Sequence, residues 1–71
     1  MNELGQLLRE TREGNDISLA EAEARTRIRQ KFIAAMEAEN WNALPGEVAT
    51  RGFLGKYATY LGLDEARVFQ L

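Results

Sequence analysis

The sequence of 71 residues contains no cysteine and no histidine, and it has a single proline. The absence of cysteine excludes a disulfide framework, and without either residue the usual zinc sites cannot form. A chain this short buries only about 60% of the surface that its unfolded form exposes, so packing alone must hold a fold with a stability of a few kcal/mol. We therefore expect one domain over residues 1–71, with no metal and no other cofactor.

The chain also lacks a long apolar run and an excess of positive charge. No stretch approaches the ~18 consecutive apolar residues of a membrane helix, and no basic segment followed by an apolar one marks a signal peptide. The net charge of -2 argues against a protein that covers nucleic acid with a general basic surface. We expect the N-terminal cytoplasmic domain of a longer protein, because the helical pattern is still running at residues 68–71. Any membrane attachment would come from a segment beyond residue 71.

Side chains that perform covalent or acid–base chemistry are few. Ser18 is the only serine, and its position at the start of a predicted helix identifies it as a cap rather than a nucleophile. No lysine has an evident neighbouring base that would activate it, and the carboxylates are scattered over predicted helix surfaces. We predict that the domain is not an enzyme and has no small-molecule substrate.

What the sequence does contain is helical periodicity. Apolar residues such as Leu4 and Leu8 recur at helical spacing among charged ones, which predicts an amphipathic helix over residues 2–13. Gly14 and Asn15 are expected to end this helix, because both tolerate the left-handed backbone conformation.

A second helix is predicted to begin at Ser18. The serine hydroxyl can accept a hydrogen bond from the N–H of Glu21, whose carboxylate can reach back to the serine N–H in a capping box. The apolar pattern shifts phase near Thr26 and then predicts a third helix that ends near Asn40. The second and third helices together are typical of a helix-turn-helix.

The last third of the chain predicts two more helices. Pro45 is expected in the first turn of the fourth helix, Gly62 at its end, and Asp64 as the cap of a short fifth helix. Gly52 and Gly55 lie inside the fourth helix, where each glycine costs about 1 kcal/mol relative to alanine, and close helix packing is the expected reason for both. The whole pattern predicts an all-α, five-helix bundle that contains a helix-turn-helix.

Several segments of the chain resemble those of one known family. They lie at residues 4–14, 17–19, 26–29, 44–46, 51–54, 57–58 and 61–63. The most specific are Leu-Pro-Gly at 44–46 and Arg-Gly-Phe-Leu at 51–54. In these segments the chain resembles the cytoplasmic domain of the RodZ family of bacterial cell-shape proteins. The resemblance implies a repressor-like five-helix fold that is joined to a single membrane helix and docks on the bacterial actin MreB, largely through its fourth helix.

The predicted fourth helix has an aromatic stripe that suits such docking. Phe53, Lys56, Tyr57 and Tyr60 lie along one stripe of the helix, and aromatic residues dominate the energetics of protein interfaces. We expect Phe53, Lys56 and Tyr60 to contact the partner in a protein-interaction adaptor that acts in cell-shape control. The family often has an aromatic residue at the position of Ala49, so this chain lacks one anchor of the interface that the resemblance implies.

A second apolar stripe adjoins the aromatic one. Its members are Val48, Leu54, Ala58 and Leu61. A helix of this length in a small bundle cannot bury both stripes completely. We assign Tyr57 and Leu61 to the core, and the sequence leaves open whether Phe53 and Tyr60 are exposed.

The basic residues near the turn into the third helix indicate an alternative function. Four cations fall within seven residues, namely Arg25, Arg27, Arg29 and Lys31. A helix-turn-helix protein contacts phosphates and base edges in this region, with its second helix, here residues 29–39, in the major groove. Gln30 lies in the first turn of that helix, and glutamine can read adenine. The alternative is therefore a DNA-binding transcriptional regulator.

Other features argue against DNA binding. The solvent side of the predicted third helix continues with Ala34, Ala35, Glu37, Ala38 and Glu39. Alanine offers few base contacts, and glutamate repels phosphate. Leu19 stands where repressor-like domains commonly carry glutamine. The four cations could instead pair with Glu21 and Glu23, or bind another anionic partner such as lipid headgroups.

Overall fold

The computed structural model describes residues 3–71, and these residues form five α-helices and one 3₁₀ turn without any strand. In chain order the elements are α1 (Glu3–Gly14), α2 (Leu19–Thr26), α3 (Gln30–Glu37), the 3₁₀ turn Trp41–Ala43, α4 (Glu47–Tyr60) and α5 (Glu65–Val68). The pair α2 and α3 forms the helix-turn-helix, α1 packs on α3, and α4 packs on α2 and α5. The prediction of an all-α, five-helix fold is confirmed.

The core lies between these helices and is almost entirely apolar. Its largest fully buried side chains are Tyr57, Leu8, Ile28, Ile33, Met36, Val68 and Thr26. Tyr57 and Leu61 are both buried, as predicted, so one side of α4 faces the core. Because α4 has buried residues on this side, its opposite side must face solvent.

The turn between α1 and α2 differs from the prediction in one detail. Within the described residues α1 runs to Gly14, one residue further than expected; Asn2, which the predicted helix included, lies outside the described residues. The left-handed residue is Asp16, with φ of 57°, rather than Gly14 or Asn15. A short polar side chain tolerates this conformation, and the Asn15 side chain instead donates a hydrogen bond to the carbonyl of Thr11.

The start of α2 follows the prediction, whereas α3 is shorter than expected. The Ser18 hydroxyl accepts from the N–H of Glu21 at 3.0 Å, but the return bond of a capping box does not form in the described chain. The third helix runs over Gln30–Glu37 instead of residues 29–39, because Arg29 is its N-cap and Ala38 its C-cap.

The two ends of α4 are set by glycines. Gly46, with φ of 100°, is the N-cap, so Pro45 lies before the cap and not in the first helical turn as predicted. At the other end Gly62 has φ of 82°. Its N–H donates to Thr59 and the N–H of Leu63 donates to Ala58, the two hydrogen bonds of a Schellman motif. The predicted stop at Gly62 is confirmed.

The glycines inside the helices differ in their surroundings. A Cβ on Gly55 would lie 3.0 Å from the carboxyl carbon of Glu65 on α5, so close packing explains this glycine as predicted. A Cβ on Gly5 would overlap the carbonyl oxygen of Glu37, which shows how closely α1 approaches α3. Gly52 has no atom within 4 Å of such a Cβ. The prediction that Gly52 serves packing within the domain is therefore wrong.

Candidate functional site

A buried polar network fixes the position of α4. The Arg12 guanidinium makes two hydrogen bonds to the Glu37 carboxylate, at 2.7 Å from Nε and 3.0 Å from Nη2. Tyr57 on α4 donates to the same carboxylate at 2.6 Å, and Arg12 Nη1 donates to the carbonyl of Ile17. The Glu37 side chain is only 7% exposed. The network thus links α1, α3 and α4 and holds α4 in one rotation about its axis.

The network also changes the protonation behaviour of its members. Burial, and then the hydrogen bond to Glu37, raise the pKa of Tyr57 well above its ordinary value. The hydrogen bond to Glu37 is likewise the main cause that raises the pKa of Arg12. Both shifts favour the protonated forms of Tyr57 and Arg12, which are the forms that donate hydrogen bonds to Glu37.

With Tyr57 facing inward, a stripe on the opposite side of α4 faces solvent. It contains Val48, Gly52, Lys56 and Thr59, which lie three or four residues apart. Val48 is 86% exposed, so this stripe offers an apolar side chain to a partner. Lys56 takes part in no ion pair with any residue in 3–71. We call these four residues the exposed stripe of α4.

The other residues predicted to contact a partner lie along one edge of this stripe. Ala49, Phe53 and Tyr60 are each half-buried. The Phe53 ring stacks on Phe32 of α3 with centroids 5.6 Å apart, and the Tyr60 ring stacks on Tyr57 at 6.4 Å. Phe53 and Tyr60 are therefore neither core residues nor freely exposed: one side of each ring packs on the domain and the rest is open to solvent.

Reasoning from the sequence missed three residues of this region. Val48 was grouped with the buried residues of the adjoining stripe, Gly52 was assigned to internal packing, and Phe32 was not connected with Phe53. A glycine inside a helix lowers the stability of that helix, and this cost was a sequence signal that Gly52 has a role outside helix formation. The inward side of α4 was correctly predicted through Tyr57 and Leu61, whereas no comparable signal marked Val48 as exposed.

The predicted nucleic-acid residues lie together at the turn between α2 and α3. Arg25, Arg27, Arg29, Gln30 and Lys31 are all exposed. The expected pairing of these cations with Glu21 and Glu23 is wrong, because no such ion pair forms within residues 3–71. Lys31 instead lies 5.1 Å from the centroid of the Phe32 ring. This basic turn therefore carries four charges without a carboxylate partner in the described chain.

The solvent side of α3 is less acidic than the sequence suggested. Glu37 is held inside the network, Glu39 accepts a hydrogen bond from the N–H of Gly5 at 2.8 Å, and Ala35 is buried. The expectation that these glutamates repel phosphate is therefore wrong for Glu37, which Arg12 neutralises. Only Ala34 and Ala38 follow Lys31 on the exposed side of α3, and their methyl groups offer little contact to base edges.

Metal sites and membrane-spanning helices are two further features that bear on function. Within residues 3–71 no three side chains of the metal-binding types come together in a cluster. No helix in that range is both long enough and apolar enough to cross a membrane.

Comparison with known proteins adds three findings. A family model described as a helix-turn-helix domain matches residues 7–68. The chain is 39% identical over 62 residues to a protein of Streptococcus pneumoniae named cytoskeleton protein RodZ, a match that covers 87% of this chain and 22% of that protein. It is 33% identical over 54 residues to a protein of Bacillus subtilis named uncharacterized membrane protein YmfM, covering 76% of this chain and 19% of that protein. The chain thus spans about a fifth of the length of these relatives. No solved structure matches it.

Proposed function

Because the chain belongs to the helix-turn-helix domain family and its domain is of the RodZ type, we propose that it is a non-enzymatic adaptor that binds the bacterial actin MreB in the control of cell shape. The name of the Streptococcus pneumoniae relative as a cytoskeleton protein supports this proposal. The docking surface is α4, through Phe53, Lys56 and Tyr60, with Ala49 at the position where the family often has an aromatic anchor.

The observation that carries the proposal is the composition of the exposed side of α4. Val48 is 86% exposed, and Phe53 and Tyr60 are half-buried on the adjoining side of α4. Aromatic residues with one packed side and one open side are already ordered, so their burial by a partner costs little side-chain entropy. The exposed stripe carries one cation, Lys56, beside the half-buried rings of Phe53 and Tyr60, and this composition suits a protein partner better than a phosphate backbone, which requires several cations.

We also propose that residues 1–71 are one cytoplasmic domain of a longer protein. The relatives are about five times as long as the aligned segment, and one of them is named a membrane protein. In the whole protein, a segment outside these residues would attach the domain to the membrane.

Co-sedimentation with polymerised MreB at physiological salt tests the docking proposal. We expect saturable pelleting of the domain and at least a tenfold weaker affinity for Phe53→Ala. Phe32→Ala is the matched control, because it removes the other ring of the same stacked pair but lies on α3. Circular dichroism must show both variants folded. A wild-type domain that stays in the supernatant, or equal losses for the two variants, would reject α4 as the docking surface.

DNA binding is the second candidate function, and it is favoured by the four exposed cations of the basic turn that have no carboxylate partner in the described chain. Fluorescence anisotropy with labelled duplex DNA over a range of salt concentrations tests it. Arg29→Glu with Lys31→Glu should abolish binding and its salt dependence if this function is present. Lys31 lies over the Phe32 ring, which stacks on Phe53 of α4, so Arg29→Glu alone is the variant that should bind MreB as the wild type does. Binding that the charge reversal leaves unchanged would remove the basic turn as the DNA site.

A further inference from the structure

Gly52 is a glycine in the interior of a helix that nothing in the described chain explains. Its φ is not positive, so alanine could adopt the same backbone conformation. A Cβ at this position would meet no atom within 4 Å, so packing does not exclude a side chain either. Apart from proline, glycine is the least favourable residue in a helix interior. The domain therefore gives up helix stability at Gly52 without gaining anything within its own fold.

Three of the other glycines have a clear local reason, since Gly46 and Gly62 have positive φ and Gly5 lies against the backbone of α3. Gly55 is buried and lies against the flexible carboxylate end of Glu65. Gly14 is open, but it is the last residue of α1, where a helix frays. Gly52 is thus the open glycine of a helix interior, and it lies at the centre of the exposed stripe of α4.

Two exposed side chains flank Gly52 at a spacing that suits a crossing helix. Val48 lies one turn before it and Lys56 one turn after it. Eight residues at a rise of 1.5 Å place these two positions about 12 Å apart along the helix axis. An α-helix with its side chains is about 10–12 Å in diameter. The missing side chain at Gly52 therefore leaves a notch between Val48 and Lys56, whose own side chains narrow this spacing.

We infer that the partner of α4 places one of its own helices across this notch, with its backbone close to Gly52. This inference rests on the proposed docking function of α4 and names the contact at its centre. Without a Cβ on Gly52, the two helix axes can approach more closely than the usual 8–10 Å or so. The crossing helix presents a small or apolar residue to Gly52, an apolar side chain to Val48, and a carboxylate to Lys56, the cation of the stripe that has no ion-pair partner within residues 3–71.

Substitutions that fill the notch test this arrangement in the co-sedimentation assay with polymerised MreB. Gly52→Ala should raise the Tm of the free domain, because alanine favours the helix and meets no neighbour, and should still raise the Kd for the filament about tenfold. Gly52→Leu should leave the domain folded and abolish pelleting. Gly14→Ala is the matched control, since it also places a methyl group in open space but on α1, and its Kd should equal that of the wild type.

The charge at one end of the notch is tested separately. Lys56→Glu should weaken pelleting at least tenfold, whereas Arg51→Glu, an equal charge change on another side of α4, should change the Kd less than threefold.

The outcomes separate the two proposals. If wild type pellets, Phe53→Ala does not, and Gly52→Leu binds as the wild type does, the crossing at Gly52 is wrong while the docking function stands. If folded wild-type domain fails to pellet, the docking function itself is wrong and the inference fails with it. If Gly52→Leu loses both its binding and its helicity, the result for Gly52→Ala decides whether the crossing at Gly52 exists. Normal pelleting of Gly52→Ala overturns the inference.

Discussion

The hydroxyl of Tyr57 donates a hydrogen bond of 2.6 Å to the carboxylate of Glu37, and this bond joins the middle of α4 to the end of α3. The same carboxylate is held by Arg12 of α1. A carboxylate that is removed from water needs such compensation, so the three side chains are energetically dependent on one another. Their arrangement sets the rotation of α4 and thereby decides which residues it exposes.

Removing Arg12 from this network should be more harmful than removing the whole ion pair. Arg12→Met leaves the Glu37 charge buried without its cation, which costs about 3–5 kcal/mol and is comparable to the full stability of a domain this small. Adding Glu37→Gln removes that charge and keeps an acceptor for Tyr57, so the double variant should be more stable than Arg12→Met alone. Urea unfolding followed by circular dichroism measures both. A double variant less stable than the single one would show that the charge of Glu37 is not the source of the cost.

An exposed ion pair supplies the control for this experiment. Arg9 and Glu13 lie 3.2 Å apart, and their side chains are 64% and 53% exposed. Arg9→Met should therefore change the free energy of unfolding by less than about 1 kcal/mol.

Tyr57 should make the domain lose stability at alkaline pH. Its pKa is raised in the folded state above the ordinary value of about 10, so the folded state holds the proton more tightly than the unfolded state. The stabilisation is complete below about pH 10 and is lost as the pH rises further, by up to about 1.4 kcal/mol per pH unit. Urea unfolding between pH 8 and 11 measures this loss.

Tyr57→Phe is the variant that isolates this effect. It should be less stable than the wild type at pH 8 by about 1.5–3 kcal/mol, because a hydrogen bond to a charged group is lost. Its stability should also fall less steeply above pH 10. An equally steep fall in Tyr57→Phe would assign the alkaline sensitivity to other groups.

Gly5 should not tolerate a side chain. Gly5→Ala places a methyl group onto the carbonyl oxygen of Glu37, so α1 and α3 must move apart, at a cost of about 1–3 kcal/mol. Gly14→Ala in the same helix meets no atom within 4 Å and should leave the Tm unchanged or slightly higher. Thermal unfolding compares the two variants. Equal Tm values would mean that α1 and α3 accommodate the methyl group at Gly5 without moving apart.

Gly62→Ala should weaken the end of α4. The positive φ of 82° costs a residue with a Cβ about 1–2 kcal/mol, although there is free space around the site. Gly62→Asn should cost less, since asparagine tolerates this conformation. A Tm that falls by the same amount in both variants would point to a cause other than backbone conformation.

The sequence by itself determined the elements whose causes are local. The hydroxyl of Ser18 and the carboxylate of Asp64 cap helices through backbone N–H groups only two or three residues away, and Gly62 ends α4 through its own φ. Such features are readable because all the interacting atoms lie within a few residues of one another. For the same reason the number and order of the helices followed from periodicity and caps, whereas their lambda-repressor-like arrangement was implied by the resemblance to the family.

Only the tertiary structure decided which side of α4 faces solvent and which glutamates are available at the surface of α3. Arg12 and Glu37 are 25 residues apart, and the N–H of Gly5 meets Glu39 over a separation of 34 residues. Local periodicity does not encode such pairs, so Glu37 was assigned to the solvent side and Val48 to an apolar stripe with buried residues. The exposure of Val48 and the open notch at Gly52 follow from the burial of the opposite side of α4, where Leu54, Tyr57 and Ala58 pack on the other helices and the Tyr57 hydroxyl bonds to a carboxylate brought in by α3.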